Sequence, residues 1–286
     1  MKYGVFLPNF GAFGYALTLA SLARDAEQAG WDGFFIWGHI TRSVPLPNVD
    51  PWVAMTAIAL QTKTIQFGPI VTPLPRRRPW KVARESVSIE HLAKGRLALG
   101  VGIGSGGLNE WYNLGEETDP RARGRMLDEA LDVLAGLWQG EPVSYDGQYY
   151  KVKFAHFVPK PLHAPRIPIW IAGEWPNRAP FRRAARWDGM IPLLKSADDR
   201  LNQFKAVVAY TREHRRDSSR FEIVLIGTPT PGDNPEQATE LIEQFRLAGA
   251  TWWLEPISPV RFGVGWADEW PFERLRERIV QGPPKT

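Results

Sequence analysis

Short apolar runs recur along this chain at an interval that few folds accommodate. They begin near Tyr3, Gly33, Ile65, Leu97, Ile167, Gly189, Glu222 and Thr251. Most are separated by about 30 residues, the length of one strand–helix unit. Between the runs the apolar period changes from strand-like to helical. Leu201, Phe204, Val208 and Thr211 form one stripe, and Ala238, Leu241, Ile242, Phe245 and Ala248 form another. Helix boundaries are marked as well. Asn234-Pro235-Glu236 supplies an N-cap, a proline at the first helical position and an acid in the first turn, and Gly249 a stop. Thr18 is expected to open the first helix and Gly30 to close it. A long stripe from Met126 to Trp138 ends at Gly140. Eight such units predict a single (β/α)8 TIM barrel over residues 1–281, with 282–286 as a tail. The alternative is an open doubly wound sheet, which the unit count and the uniform composition disfavour. The one long interval, from Leu97 to Ile167, holds a helix over 121–138 and then an insertion over 139–166 between strands 4 and 5. There Asp146-Gly147, flanked by Tyr145 and Tyr149-Tyr150, predicts a hairpin.

Composition narrows the chemistry. With 44% hydrophobic and 23% charged residues the chain is a folding one rather than a disordered one. It has no cysteine, which excludes disulfides, a thiolate nucleophile, thiolate-held zinc and iron–sulfur clusters. A net charge of +4 is too small to argue for nucleic acid but suits an anionic ligand. No stretch reaches the roughly 18 apolar residues of a membrane span, and no leader-like segment follows Met1. The expectation is a cytoplasmic protein with no membrane or nucleic-acid partner.

In a barrel of this kind, ligands sit at the C-terminal ends of the strands. That rule selects Asn9 after strand 1 and Trp37-Gly38-His39 after strand 2. It selects Thr72 after strand 3, the glycine-rich run Gly102–Gly107 with Glu110-Trp111 after strand 4, and Gly173–Arg178 after strand 5. His39 is the one histidine of five at a predicted strand top. It is either an acid–base group or hydrogen-bond donor, or a loop residue tying down backbone. The glycines 102–107 either let a flat ligand approach the backbone or form a flexible loop. Arg76-Arg77-Arg78 with Lys81 and Arg84 reads as a solvated helix face or as a rim attracting an anionic tail. Arg178, Arg182 and Arg183 stand at a helix start, where a phosphate could be shared with the helix N-terminus. Glu110 and Glu174 could alternatively be the carboxylate pair of a glycoside hydrolase. No metal-binding motif, P-loop or nucleophile elbow is present.

Certain segments, taken in order, are more specific. Gly4-Val5-Phe6-Leu7-Pro8 is followed by Ala26–Gly33 leading to His39, Asp50-Pro51-Trp52, and Phe67-Gly68-Pro69-Ile70-Val71-Thr72-Pro73. Next come His91–Gly104, the Arg121–Trp138 helix, Pro168–Gly173 and Asp188-Gly189. With these segments the chain resembles the luciferase-like monooxygenase family over roughly residues 2–257. That family includes bacterial luciferase and the reductases and dehydrogenases that use the deazaflavin coenzyme F420. The resemblance implies a barrel that binds FMN or F420 at its strand tops, with a non-proline cis peptide at Ile70–Val71 backing the ring. It implies that His39 lies beside that ring. It places cofactor contacts at Ile70, Val71, Thr72, Gly104, Ser105, Gly106, Asn109, Gly173, Glu174, Asn177 and Arg178. It also implies a homodimer. Two departures stand out. Gly38 replaces an aspartate common before the histidine, and Ser105-Gly106-Gly107 adds one residue ahead of the position where deazaflavin-dependent sugar-phosphate dehydrogenases place a catalytic glutamate.

These observations together predict an oxidoreductase that moves a hydride between bound F420, slightly preferred, or FMN and a small organic substrate. His39, Asn9 and Trp37 are the expected catalytic group, with Trp111 lining the substrate side. The alternatives are an FMN monooxygenase served by a separate flavin reductase, a non-catalytic flavin-binding protein, and the glycoside hydrolase. Trp37, Trp111, Trp175 and Trp253, four of the thirteen tryptophans, are expected to wall the cofactor.

Overall fold

Nine strands in a single parallel sheet enclose the centre of the molecule, in a computed structural model that describes residues 1–105, 110–195, 199–228 and 235–284. In chain order they are β1 (Lys2–Leu7), β2 (Gly33–Ile36), β3 (Gln66–Pro69), β4 (Thr72–Pro73), β5 (Leu99–Gly102), and, beyond a hairpin, β8 (Ile169–Trp175), β9 (Gly189–Leu194), β10 (Glu222–Ile226) and β11 (Trp252–Pro256). The hairpin pairs β6 (Val143–Asp146) with β7 (Lys151–Ala155) antiparallel. The sheet order is β3-β2-β1-β11-β10-β9-β8-β5-β4. β3 and β4 are two halves of one barrel strand, interrupted at Ile70–Val71, whose peptide bond is cis. β4 pairs with β5, and Phe67 of β3 bridges to Leu97 just ahead of β5, so the ring closes through this third strand. The expected TIM barrel is the fold, with eight strand positions.

Among the described residues eight helices surround it: α1 (Ala16–Gln28), α2 (Pro51–Gln61), α3 (Pro79–Leu92), α4 (Pro120–Leu137), α5 (Ala179–Ala184), α6 (Arg200–His214), α7 (Pro235–Leu247) and α8 (Phe272–Val280). Local sequence explains their starts. Asp50 accepts from the amides of Trp52 and Val53, and Asp119 from those of Arg121 and Ala122, each followed by proline at the first helical position. α1 starts two residues ahead of the expected Thr18, after an extended Tyr15. Asn234, the expected cap of α7, lies outside the described residues. α7 is followed by Gly249 at φ +107, a left-handed position where glycine carries no Cβ penalty. Glu129 on α4 accepts the amides of Gln148, Tyr149 and Tyr150 and so fastens the β6–β7 turn to the barrel wall. Among the described residues no helix is long and apolar enough to cross a membrane.

The barrel interior is aromatic. Phe6, Phe35, Trp170 and Trp252 fill it with Ile70, Ala98, Ile191, Val224 and Leu254. The Phe35, Trp170 and Trp252 rings meet at 5.4–5.7 Å. Burying rings of this size removes roughly 150–250 Å² each, worth about 4–6 kcal/mol apiece before entropy is subtracted. Such rings fit only because glycine stands beside them: a Cβ on Gly33 would lie 2.5 Å from Phe35 and 2.7 Å from Trp252. Above this layer, toward the strand C-termini, Trp37, Val71, Ala172 and Ile226 pack on the core while only partly buried. They form the floor of the strand-top site.

Candidate active site

The turn after β2 carries His39, and its main chain is gripped from two sides by buried side chains. Asn9, which follows β1, is completely buried. Its Nδ2 donates to the His39 carbonyl at 2.7 Å and the Val49 carbonyl at 2.8 Å, and its Oδ1 accepts from the His39 amide at 3.3 Å. From the other side, Glu110 accepts the Ile40 and Thr41 amides at 2.9 and 3.1 Å. Arg76, just beyond β4, donates to Glu110 at 2.9 Å and to the Gly38 carbonyl at 3.1 Å. The Arg76 and Glu110 side chains are only 5% and 4% exposed, so this is a buried ion pair. Gly38 is required here, since a Cβ would stand 2.0 Å from the Val71 carbonyl oxygen. An aspartate at this position would have no room.

This bracket also orients the imidazole. His39 Nδ1 lies 3.3 Å from Glu110 Oε2, and the side chain is 19% exposed. Burial alone would raise the Glu110 carboxyl. Hydrogen bonds from His39 and Arg76 and from the Thr41 amide, with the charge of His39, outweigh it and hold the group down to about 2. An ionised carboxylate accepts only, so a proton on His39 Nδ1 is the one it engages, and Nε2 is the ring nitrogen that Glu110 does not hold.

Aromatic rings surround the histidine. Trp37 lies 5.6 Å from Phe6, Phe10, His39 and Trp266, and Trp270 packs against Phe10 and Trp266 at 5.8 and 5.7 Å. Trp37 Nε1 and Thr72 Oγ1 are buried without any hydrogen-bond partner among the described residues. Buried polar groups are rarely left so. Two such groups above an apolar floor, beside the Ile70–Val71 cis peptide, match the needs of a flat heterocycle with polar edges. The residues present are compatible with a flavin or deazaflavin, which Val71, Thr72 and Trp37 would border.

The structure changes several sequence expectations. Asn9 is buried with its polar atoms engaged in holding the His39 turn. Ile70 turns into the barrel core, while Val71 caps it. Gly104 adopts φ +80 where a Cβ would meet Trp111 at 2.3 Å, so the close approach it permits is to that ring. The Ser105 carbonyl accepts from Trp111 Nε1 at 3.0 Å. Gly106 and Asn109 lie outside the described residues. Trp111 is buried, with the guanidinium groups of Arg76 and Arg123 over its ring at 5.3 and 4.3 Å. It lines the loop interior rather than the mouth.

On β8, three strand positions round the ring from β2, Gly173 accommodates Pro180 of α5 and Glu174 is an exposed partner of Lys195 at 3.1 Å. Asn177 and Arg178 are exposed, with Arg178 over the Tyr210 ring at 5.4 Å. Of the three expected phosphate arginines, Arg183 is engaged with Asp128 and Arg182 with Tyr210. Trp253 faces outward onto Phe245 of α7, and Trp175 packs on Phe181 and Tyr210. The basic run divides: Arg76, Arg77 and Arg84 bind Glu110, Glu85 and the Val158 carbonyl, whereas Arg78 and Lys81 are solvent-exposed. The glycosidase pair lacks its acid, since Glu110 is held ionised and Glu174 is open to solvent. Trp266 and Trp270 escaped the sequence analysis, and Arg76 was singled out there only as part of the basic run. The two tryptophans follow the last strand, where the strand-top rule applied further along the chain would have found them.

A cavity of about 660 Å³ lies at the opposite, N-terminal end of the barrel, bordered by Lys2, Asp32, Arg96, Asp188 and Glu222. Its charges are largely internally paired, Arg166 with Asp188 and Arg220 with Glu222, and Arg96 holds backbone carbonyls. That face stabilises the barrel and is remote from His39. No group of three or more potential metal ligands occurs among the described residues.

A family model described as luciferase-like monooxygenase matches residues 1–277. The chain belongs to the luciferase-like monooxygenase family. It is 33% identical over 157 residues to an F420-dependent glucose-6-phosphate dehydrogenase of Microbacterium testaceum, a match covering 53% of this chain and 45% of that protein. It is 24% identical over 221 residues to the oxygenase component of a flavin-dependent trigonelline monooxygenase of Acinetobacter baylyi, covering 77% and 60%. A solved F420-dependent secondary alcohol dehydrogenase in complex with an F420–acetone adduct superposes with a TM-score of 0.75 at 20% identity, over 98% of each chain. Members of the family are flavin- or F420-dependent oxidoreductases and monooxygenases, and this chain is an enzyme of that kind.

Proposed function

We propose that this luciferase-like enzyme is an F420-dependent dehydrogenase or reductase acting on a small organic substrate at the top of β2. The observation that carries the proposal is the His39–Glu110–Arg76 arrangement. It presents an imidazole with one nitrogen anchored by an ionised carboxylate and the other without a hydrogen-bond partner among the described residues, which is a proton acceptor for a substrate hydroxyl. When bound, the deazaflavin supplies the hydride-accepting carbon. His39 takes the hydroxyl proton at Nε2 as the C–H hydride leaves, and in the reverse direction it returns that proton to the carbonyl oxygen. Asn9 and Glu110 hold the imidazole through its backbone and Nδ1, so no reorganisation of the turn accompanies proton transfer. The apolar floor and the aromatic wall exclude water from the hydride path.

Relatives that use either cofactor support the general chemistry. The anchored base favours coupled proton and hydride transfer over oxygenation. Homodimerisation is part of the same proposal. α2 is apolar all round, and Val53 and Leu60 on its outer side are 58% and 65% exposed, a surface that a second copy would cover. The test is F420-linked turnover across a panel of secondary alcohols and their ketones. Wild-type protein should change the visible absorbance of the cofactor with at least one, and His39→Ala should lower kcat by about a hundredfold or more, the usual scale of a lost acid–base group. An unchanged kcat in the variant refutes the assignment of His39.

A further inference from the structure

Among the described residues, Arg42 is the one arginine near His39 whose guanidinium has neither a hydrogen-bond acceptor nor a carboxylate partner. It follows His39 by three residues in the loop after β2. It lies over the Phe10 ring at 4.3 Å and the Trp266 ring at 5.7 Å. Although half-buried, it makes no hydrogen bond, and no carboxylate stands within 4.0 Å of it, among the described residues. Arg76 and Arg77 close by are both ion-paired. Stacking on rings fixes the plane of a guanidinium and leaves its edge, the forked set of N–H donors, unobstructed.

We propose that Arg42 is the anion-recognition residue of the substrate site and that the substrate is a flat organic carboxylate. The proposal deepens the dehydrogenase reading and rests on it for the word substrate. Charge supports it: Arg42 and Arg76 carry two positive charges against the single negative charge of Glu110, and one carboxylate restores neutrality. Burial lowers the proton affinity of Arg42, and the field of Glu110 offsets only part of that, so a bound anion relieves a real electrostatic cost. Shape supports it as well. Phe10, Trp37 and Trp266 pack on one another at 5.5–5.6 Å between centroids, and the partly buried Trp37 and Trp266 offer an aromatic face against which a planar body can lie. Phe10 touches both ends of this site, since its ring lies 6.1 Å from His39 and beneath Arg42. One small molecule can therefore have its carboxylate on Arg42 and its reacting carbon–oxygen group at His39.

The experiment compares benzoate with benzamide, a neutral molecule of the same shape, by calorimetric titration into wild-type protein, Arg42→Ala and Arg42→Lys. Each is measured without cofactor and with F420 or FMN added. Wild-type protein should bind benzoate at least about tenfold more tightly than benzamide, a typical loss for one charge-assisted fork. Arg42→Ala should abolish that preference, and Arg42→Lys should retain part of it, while the affinity for cofactor stays unchanged in both. Equal binding of the two probes, no binding of benzoate, or an Arg42→Ala variant impaired in cofactor rather than benzoate binding would each overturn the proposal. Failure of both cofactors to bind refutes the dehydrogenase reading instead, because the benzoate preference is read separately in the cofactor-free protein.

Discussion

Replacing Glu110 by glutamine removes one charge from the centre of the His39 bracket while keeping its shape. The amide oxygen can still accept from Ile40 and Thr41, but Arg76, with a side chain 5% exposed, loses its counter-ion. The carboxyl titrates at about 2 against a reference value of 4.5. At about 1.4 kcal/mol per pH unit, that difference corresponds to about 3 kcal/mol of native-state stabilisation, consistent with breaking a buried pair. Scaled to this chain length at about 2.1 cal/mol/K per residue, the loss lowers Tm by about 5 °C. The sign of the pH effect follows from a depressed carboxylate. Its contribution is complete above the unfolded-state value and is lost as the pH falls through about 2. The gap between wild type and Glu110→Gln should therefore shrink from about 3 kcal/mol at pH 7 to about 1.4 kcal/mol at pH 3. Urea unfolding followed by tryptophan fluorescence at the two pH values measures both numbers. Equal stability at pH 7, or a gap that stays constant or widens toward pH 3, would refute the reasoning.

The Asn9 side chain bridges three segments from a fully buried position, so Asn9→Ala should cost about 2–3 kcal/mol, leaving the His39 and Val49 carbonyls without a donor. Thermal unfolding checks this, and a change below about 0.5 kcal/mol, the scale of an ordinary surface substitution, would show that the bracket is not structural. Val53→Glu combined with Leu60→Glu places two charges on the exposed side of α2 and should convert a dimer to monomers in light scattering. An unchanged mass would remove α2 from the interface.

The strands were legible because each is a short apolar run at a regular spacing, and the barrel follows from their number. His39 was legible because one histidine alone falls at a strand end, and the Ile70–Val71 break because the family pattern runs through it. What escaped notice has identifiable physical causes. Strand side chains alternate faces, so Trp252 and Trp253 differ by one residue yet point to the barrel interior and the helix layer respectively. Composition cannot distinguish them. A polar residue at a strand top reads alike whether it faces a ligand or, like Asn9, satisfies backbone. The Glu110–Arg76 pair joins residues 34 apart through irregular loops that carry no periodicity. Glu110 itself was selected at a strand top, but its position 3.3 Å from the imidazole is visible only in the structure.

Equilibrium titration of the purified protein with F420 and with FMN, followed by cofactor fluorescence, tests the central claim most directly. Saturable binding of F420, tighter than that of FMN, is the expected result. Binding of FMN alone, or of neither cofactor, would contradict it.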